Sequence, residues 1–81
     1  MEIKVLGMGC PRCRALEQMV INCLAELNIA ADVTKVEDIN EITEYGILRT
    51  PALVIDGRVA VSGRIPSGKE LEELLTRRKP D

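Results

Sequence analysis

The sequence predicts an α/β fold with the element order β-α-β-α-β-β-α. Three observations indicate it: a strand, a long amphipathic helix and a second strand open the chain as a βαβ unit, an Asp-Gly turn joins two later strand-like runs, and a capped helical stripe closes the chain. We therefore expect a central four-stranded mixed sheet flanked by three helices. At 81 residues, the chain is sized for a single domain covering residues 1–81.

The first strand and the first helix have the most regular patterns. Residues 1–6 alternate polar and apolar side chains and end at Gly7, which is typical of a short, mostly buried strand. A helix is expected over residues 11–27 or 28, because Pro11 suits the first helical position. Its apolar stripe comprises Leu16, Met19, Val20, Cys23, Leu24 and Leu27. Free cysteine is among the most buried residue types, so we expect Cys23 to belong to this apolar face rather than to act as a third reactive thiol.

The next two elements are predicted as a strand and a short helix. Residues 31–36 alternate and include β-branched side chains, which favours a second strand parallel to the first. Asp38 and Glu41 have the spacing of a capping box, so a helix should run from residue 39 to about residue 45. Gly46 can end that helix in a left-handed conformation. We expect the helix to be buried through Ile39 and Ile42.

The last third of the chain is predicted as a hairpin followed by a helix. Residues 50–55 are strand-like, Asp56-Gly57 is a strong two-residue turn signal, and residues 58–62 return as the fourth strand. Ser67 and Glu70 form a second capping box, so the final helix should span residues 67–78. Its apolar stripe is Leu71, Leu74 and Leu75, and the cations at its carboxyl end are Arg77, Arg78 and Lys79.

Composition narrows the class of function. The net charge is −2, with acidic and basic residues mixed along the chain, so neither nucleic acid nor an anionic membrane is an expected partner. The sequence has no apolar run of the ~20 residues that a membrane span needs, and no signal-peptide pattern, which predicts a cytoplasmic protein. Three cysteines are too few, and odd in number, for a secreted disulfide framework. In the cytosol a CxxC pair is typically redox-active or metal-binding.

The CxxC pair lies in the stretch Gly7-Met8-Gly9-Cys10-Pro11-Arg12-Cys13. Its place between strand and helix makes Cys10 a candidate N-cap and puts Cys13 in the first helical turn. A helix N-terminus favours the thiolate through unpaired N–H groups and a partial positive charge, and Arg12 and Arg14 supply nearby cations. Cys10, at the exposed tip, is the expected nucleophile, and Cys13 the expected resolving thiol.

The element order, with a CxxC pair between the first strand and the first helix, resembles the thioredoxin/glutaredoxin fold. A second segment, residues 45–55 with the sequence YGILRTPALVI, is similar to the thioredoxin segment in which a helix ends and a cis-proline opens the third strand. The resemblance covers nearly the whole chain. It is strongest to the small thioredoxin-like or glutaredoxin-like proteins of archaea and anaerobic bacteria that are often called redox-active disulfide proteins.

The resemblance implies roles for residues outside the CxxC pair. Pro51 would be the cis-proline that faces the disulfide, and Thr50 would offer its backbone groups to an extended partner peptide. Pro11 matches the Cys-Pro-Tyr-Cys motif of glutaredoxins better than the motif of thioredoxins. Gly63 resembles the family's glycine near the start of the last helix, where a side chain would obstruct the partner; its alternative role is a plain turn.

The resemblance also implies an activity. We expect a protein dithiol–disulfide oxidoreductase, active in electron transport and cell redox homeostasis, that exchanges a Cys10–Cys13 dithiol/disulfide with protein substrates. It would be a cytoplasmic monomer recycled by an electron-donating reductase. No cofactor and no resident metal are expected.

Two alternatives use the same residues. The stretch around Cys10 and Cys13 fits the GMxCxxC loop of copper-chaperone-like domains, in which two thiolates hold the soft ion Cu(I). Those domains have the order β-α-β-β-α-β, whereas a capped helix follows the second strand here and a helix ends the chain. The second alternative is a redox-sensing adaptor that binds a partner without turnover.

Overall fold

The computed structural model describes residues 1–47 and 49–76, which form four strands and three helices. The strands and helices follow one another in the predicted order. The elements are β1 (Glu2–Leu6), α1 (Pro11–Leu27), β2 (Asp32–Val36), α2 (Ile39–Glu44), β3 (Ala52–Ile55), β4 (Arg58–Ser62) and α3 (Gly68–Thr76).

The four strands form one mixed sheet with the spatial order β2-β1-β3-β4. β1 pairs in parallel with β2 and antiparallel with β3, and β3 pairs antiparallel with β4. Asp56 and Gly57 take positive φ angles of 49° and 84°, as expected for a two-residue turn that matches the twist of a hairpin. The predicted thioredoxin-like fold class is therefore confirmed.

The sheet buries a different cluster on each face. The larger cluster joins β1 and β3 to α1 and α3, which therefore share one face of the sheet. Its fully buried members are Ile3, Leu16, Val20, Leu53, Leu71 and Leu75. The smaller cluster lies under α2 and includes Leu6, Val36, Ile42, Ile47, Ala52 and Val54. Because side chains alternate along a strand, neighbouring residues of β1 and β3 supply both clusters.

Two predicted details of α2 and α3 are wrong. Ile39 is 54% exposed and only Ile42 of α2 is buried, because this six-residue helix is too short to bury two turns against the sheet. The capping box of α3 is half formed: Ser67 accepts the Glu70 N–H at 3.1 Å, but the Glu70 carboxylate instead receives two hydrogen bonds from Arg64 at 2.7 and 2.8 Å. Asp38 does cap α2, through the Asn40 N–H.

Several element boundaries differ by one or two residues from the predicted ones. β3 begins at Ala52 rather than at residue 50, since Thr50 and Pro51 lie in the bend that precedes it. α2 ends at Glu44, and Gly46 follows with φ = 76°. The cations predicted at the end of the last helix, Arg77, Arg78 and Lys79, lie outside the described residues, as does Leu48. Within the ranges that the structure describes, no helix has the length and apolarity needed to cross a bilayer.

A pair of α1 substitutions tests the two-sided character of that helix. Leu16 has no exposed surface, whereas Ile21 on the same helix is 43% exposed. We expect Leu16→Ala to lower the free energy of unfolding by about 2–5 kcal/mol through lost burial and a residual cavity. Ile21→Ala should change it by less than about 1 kcal/mol. Urea denaturation followed by circular dichroism measures both, and equal losses would contradict this packing.

Candidate active site

Three segments meet at the carboxyl end of β1. The Gly7 N–H donates to the Val36 carbonyl at 2.9 Å, which ties the loop after β1 to the end of β2. A Cβ added to Gly7 would overlap the Cys13 Sγ and would lie 3.9 Å from the Thr50 Cβ. Gly7 therefore allows the Cys13 sulfur and Thr50 to approach the same piece of backbone.

Cys10 begins α1 as its N-cap, with extended backbone angles of φ −73° and ψ 163°. Pro11 follows at the first helical position, where its missing N–H leaves no donor unsatisfied. The Cys10 carbonyl accepts the N–H groups of Cys13 at 3.0 Å and Arg14 at 3.1 Å. The local sequence thus starts the helix at the first cysteine and directs the second one inward.

The two sulfurs are close but differ in exposure. Their Sγ atoms lie 2.8 Å apart, and the Cys13 N–H also donates to the Cys10 Sγ at 3.3 Å. Cys10 is partly exposed, whereas Cys13 is only 6% exposed. The Cys10 sulfur is consequently the one that a large partner can reach.

The same contacts give the two thiols different acidities. The hydrogen bond from the Cys13 thiol, followed by the backbone N–H of Cys13, lowers the pKa of Cys10 below its ordinary value. Burial, followed by that same thiol contact, raises the pKa of Cys13. The backbone N–H of Arg12 also lowers the pKa of Cys10.

Thr50 lies near Cys13 at Gly7, and a cis peptide bond joins Thr50 to Pro51. Pro51 is buried, and its carbonyl accepts the Gly63 N–H at 2.9 Å. Gly63 takes φ = 79°, and the Arg49 side chain crosses it so closely that a Cβ there would lie 3.2 Å from the Arg49 Cβ. The structure therefore places Gly63 next to Thr50 and Pro51, the two residues to which the family resemblance assigns a role in partner binding.

Cys23 does not join this site. It lies ten residues after Cys13 on α1, about 15 Å along the helix, and packs against the larger core cluster. Partial burial, with smaller effects from Glu72 and Glu26, raises the pKa of its thiol. Both observations agree with the structural role expected from the sequence.

The sequence motifs did not identify Glu37, which the structure places at the site. A small cavity of about 100 Å³ opens beside Cys13, and Glu37 is part of its wall. A positional signal existed, because Glu37 follows β2 directly and parallel strands end at the same edge of a sheet. The other residues of the wall are Val5, Gly7, Gly9, Arg14 and Lys35.

The acidity of Cys10 can be tested by removing its hydrogen-bond donor. Cys13→Ala deletes the largest cause of the lowered pKa but keeps the backbone N–H, so we expect the pKa of Cys10 to rise toward that of free cysteine. Cys23→Ala should leave it unchanged. The rate of iodoacetamide alkylation of Cys10 against pH, followed by mass spectrometry, measures this. A Cys10 in the unmodified chain that titrates like free cysteine would contradict the assigned geometry.

Comparison with known proteins agrees with this fold. A family model described as a thioredoxin domain matches residues 1–76. A thioredoxin of Methanothermobacter thermautotrophicus is 33% identical over 76 residues, which cover 94% of this chain and 99% of the relative. A thioredoxin of Methanocaldococcus jannaschii is 38% identical over 73 residues, which cover 90% of this chain and 84% of the relative. With its thiol pair at the start of α1, this chain belongs to the thioredoxin superfamily.

Proposed function

We propose that this protein is a thiol–disulfide oxidoreductase that exchanges its Cys10–Cys13 dithiol/disulfide with protein partners. The observation that carries the proposal is the position of Cys10 at the N-cap of α1. There its Sγ accepts the Cys13 N–H and lies 2.8 Å from the Cys13 Sγ. A partly exposed sulfur with a lowered pKa and a second thiol within reach is what disulfide exchange requires.

The reaction has two steps. In the first, the Cys10 thiolate attacks one sulfur of a partner disulfide, and the other partner sulfur leaves as a thiolate that takes up a proton. In the second, the Cys13 thiol loses its proton and attacks the Cys10 sulfur, so a Cys10–Cys13 disulfide forms and the second partner sulfur is released. The partner gains two electrons and two protons, and the CxxC pair loses them.

The partner would dock along the bend that holds Thr50 and Pro51. Pro51 has no N–H and its carbonyl accepts the Gly63 N–H, so the backbone groups that would face the partner are those of Thr50. The Arg49 side chain lies over Gly63 beside this bend. Met8, two residues before Cys10, is 61% exposed and offers an apolar contact. An extended peptide segment carrying the disulfide fits between these two features.

We further propose that the protein acts in the cytoplasm as a monomer, recycled by an electron-donating reductase. The nearly balanced charge of the chain supports this setting, because it favours neither nucleic acid nor an anionic membrane as a partner. Electron transport to protein disulfides would then contribute to cell redox homeostasis.

The copper-carrier alternative is less well supported by the element order. The chain continues with α2 after β2 and has α3 as its last described element, unlike the β-α-β-β-α-β order of copper-chaperone-like domains. The described residues hold no group of three or more His, Cys, Asp or Glu side chains placed to share a metal ion. Two thiolates are enough to bind Cu(I), so a measurement of Cu(I) affinity is needed to test this alternative.

If Cys10 attacks the partner and Cys13 resolves the mixed disulfide, the two serine variants should trap different amounts of mixed disulfide. Cys13→Ser should accumulate mixed disulfides on Cys10, because the first step proceeds and the second is blocked. Cys10→Ser should accumulate few, because the remaining Cys13 is buried and its pKa is raised. Non-reducing gels with mass spectrometry of the linked peptides measure this; equal trapping by both variants would reject the role assignment.

One sample can separate the oxidoreductase from its two alternatives. We expect the reduced protein to reduce insulin disulfides in the presence of dithiothreitol, and Cys10→Ser to lose that activity. Cu(I) affinity is measured on the same preparation by competition with a chromophoric chelator. Tight copper binding without insulin reduction would favour the carrier, and absence of both would favour the adaptor.

A further inference from the structure

The charged residues of this chain are unevenly distributed between the two ends of the sheet. At the end away from the thiol pair, three acidic residues are neighbours. Asp32 is paired with Glu2 across β2 and β1, and the Asp56 carboxylate accepts the Glu2 N–H at 2.8 Å. Arg58 and the amino terminus add two cations there. This end therefore carries an excess of negative charge.

At the other end of the sheet, two exposed arginines lie on the two chain segments that meet at the thiol pair. Arg12 lies in the first turn of α1, between the two cysteines. Arg49 comes directly before Thr50, and its side chain crosses Gly63 at the bend before β3. A partner peptide that approaches Cys10 along this bend would therefore pass both arginines.

Helix geometry separates Arg12 from the other arginine near the motif. Successive residues of a helix are turned by about 100°, so Arg12 and Arg14 project to opposite sides of the inward-facing Cys13. Arg14 lines the cavity that Glu37 also lines, on the side of β2. Since β2 and β3 lie on opposite sides of β1, Arg12 projects away from Glu37 and toward the side of the bend before β3.

The charges of Arg12 and Arg49 are not compensated within the part of the chain that the structure describes. No carboxylate of that part lies within ion-pair distance of either guanidinium group. Arg64, which follows Gly63, differs in this respect, because it donates two hydrogen bonds to Glu70 at 2.7 and 2.8 Å. Arg12 and Arg49 are thus the arginines here whose charge is available to a partner.

We propose that the partner segment that carries the disulfide is acidic, with Asp or Glu side chains beside its cysteine that pair with Arg12 and Arg49. This rests on the proposed function and names the chemistry of its substrate. An exposed ion pair contributes little to equilibrium affinity, but attraction between opposite charges raises the rate of productive encounter. The negative charge at the far end of the sheet favours the orientation in which the thiol pair faces an acidic partner.

The test compares peptides that differ only in the charge beside their disulfide. Each has one intramolecular disulfide and blocked ends, and carries Glu, Gln or Lys next to its cysteines. Reduced protein and peptide are mixed at low ionic strength, quenched in acid and trapped with N-ethylmaleimide, and oxidation of the chain is followed by mass spectrometry. Each rate is divided by the rate at which 2-mercaptoethanol reduces the same peptide, which removes intrinsic differences between the disulfides.

We expect the Glu peptide to react about 3- to 10-fold faster than the Gln peptide, and the Lys peptide to react more slowly than either. The differences should disappear in about 0.5 M NaCl, because salt screens exposed charges. Equal rates for the three peptides, or a faster Lys peptide, would overturn the inference.

Arginine variants assign the preference to the two residues. Arg12→Gln and Arg49→Gln should each lower the ratio of the Glu-peptide rate to the Gln-peptide rate about 2- to 3-fold, and the double variant should bring it close to one. The ratio does not depend on the reactivity of Cys10, since a change in that thiol alters both rates alike. Arg58→Gln is the matched control, because it removes the same charge from an exposed position at the far end of the sheet.

The control should leave the ratio unchanged. A ratio that survives in the double variant, or that falls as much in Arg58→Gln, would also overturn the inference, since it would then reflect the overall charge of the chain. If the protein reduces none of the peptides although 2-mercaptoethanol reduces each, the proposed function fails and this inference with it. Reduction of all three at equal rates rejects only the acidic partner.

Discussion

The site depends on the close contact between the Cys13 sulfur and the backbone at Gly7. Only a residue without a side chain leaves room for a sulfur there, and the same approach puts Thr50 within van der Waals reach of the junction. The Gly7 N–H then anchors the junction to the end of β2 through Val36. Because Gly7 has no side chain, α1, the end of β1 and the bend before β3 can come into close contact there.

Because of that contact, the two thiols differ in exposure and in pKa. Cys13 loses solvent by packing inward, and its thiol and backbone N–H both point at Cys10, where they stabilise the charged sulfur. Helix geometry contributes to this, because the first N–H groups of a helix have no partner within the helix and are available to a residue at the N-cap.

Local patterns in the sequence were enough to predict the fold and the position of the thiol pair. The capped first helix, the Asp-Gly turn and the CxxC spacing are all short-range signals, and the structure agrees with each. What they could not predict depends on contacts between distant segments. Ile39 has an apolar side chain but stays exposed, the Glu70 carboxylate binds Arg64 instead of completing its capping box, and Glu37 reaches the site only when β2 pairs with β1.

The unequal exposure of the two sulfurs also sets a stoichiometry. Cys13, at 6% exposure and packed on Gly7, has no surface on which a second large molecule could seat itself. In the proposed exchange, this thiol pair can therefore hold one covalently attached partner at a time, on Cys10, and must release it before the next one attaches.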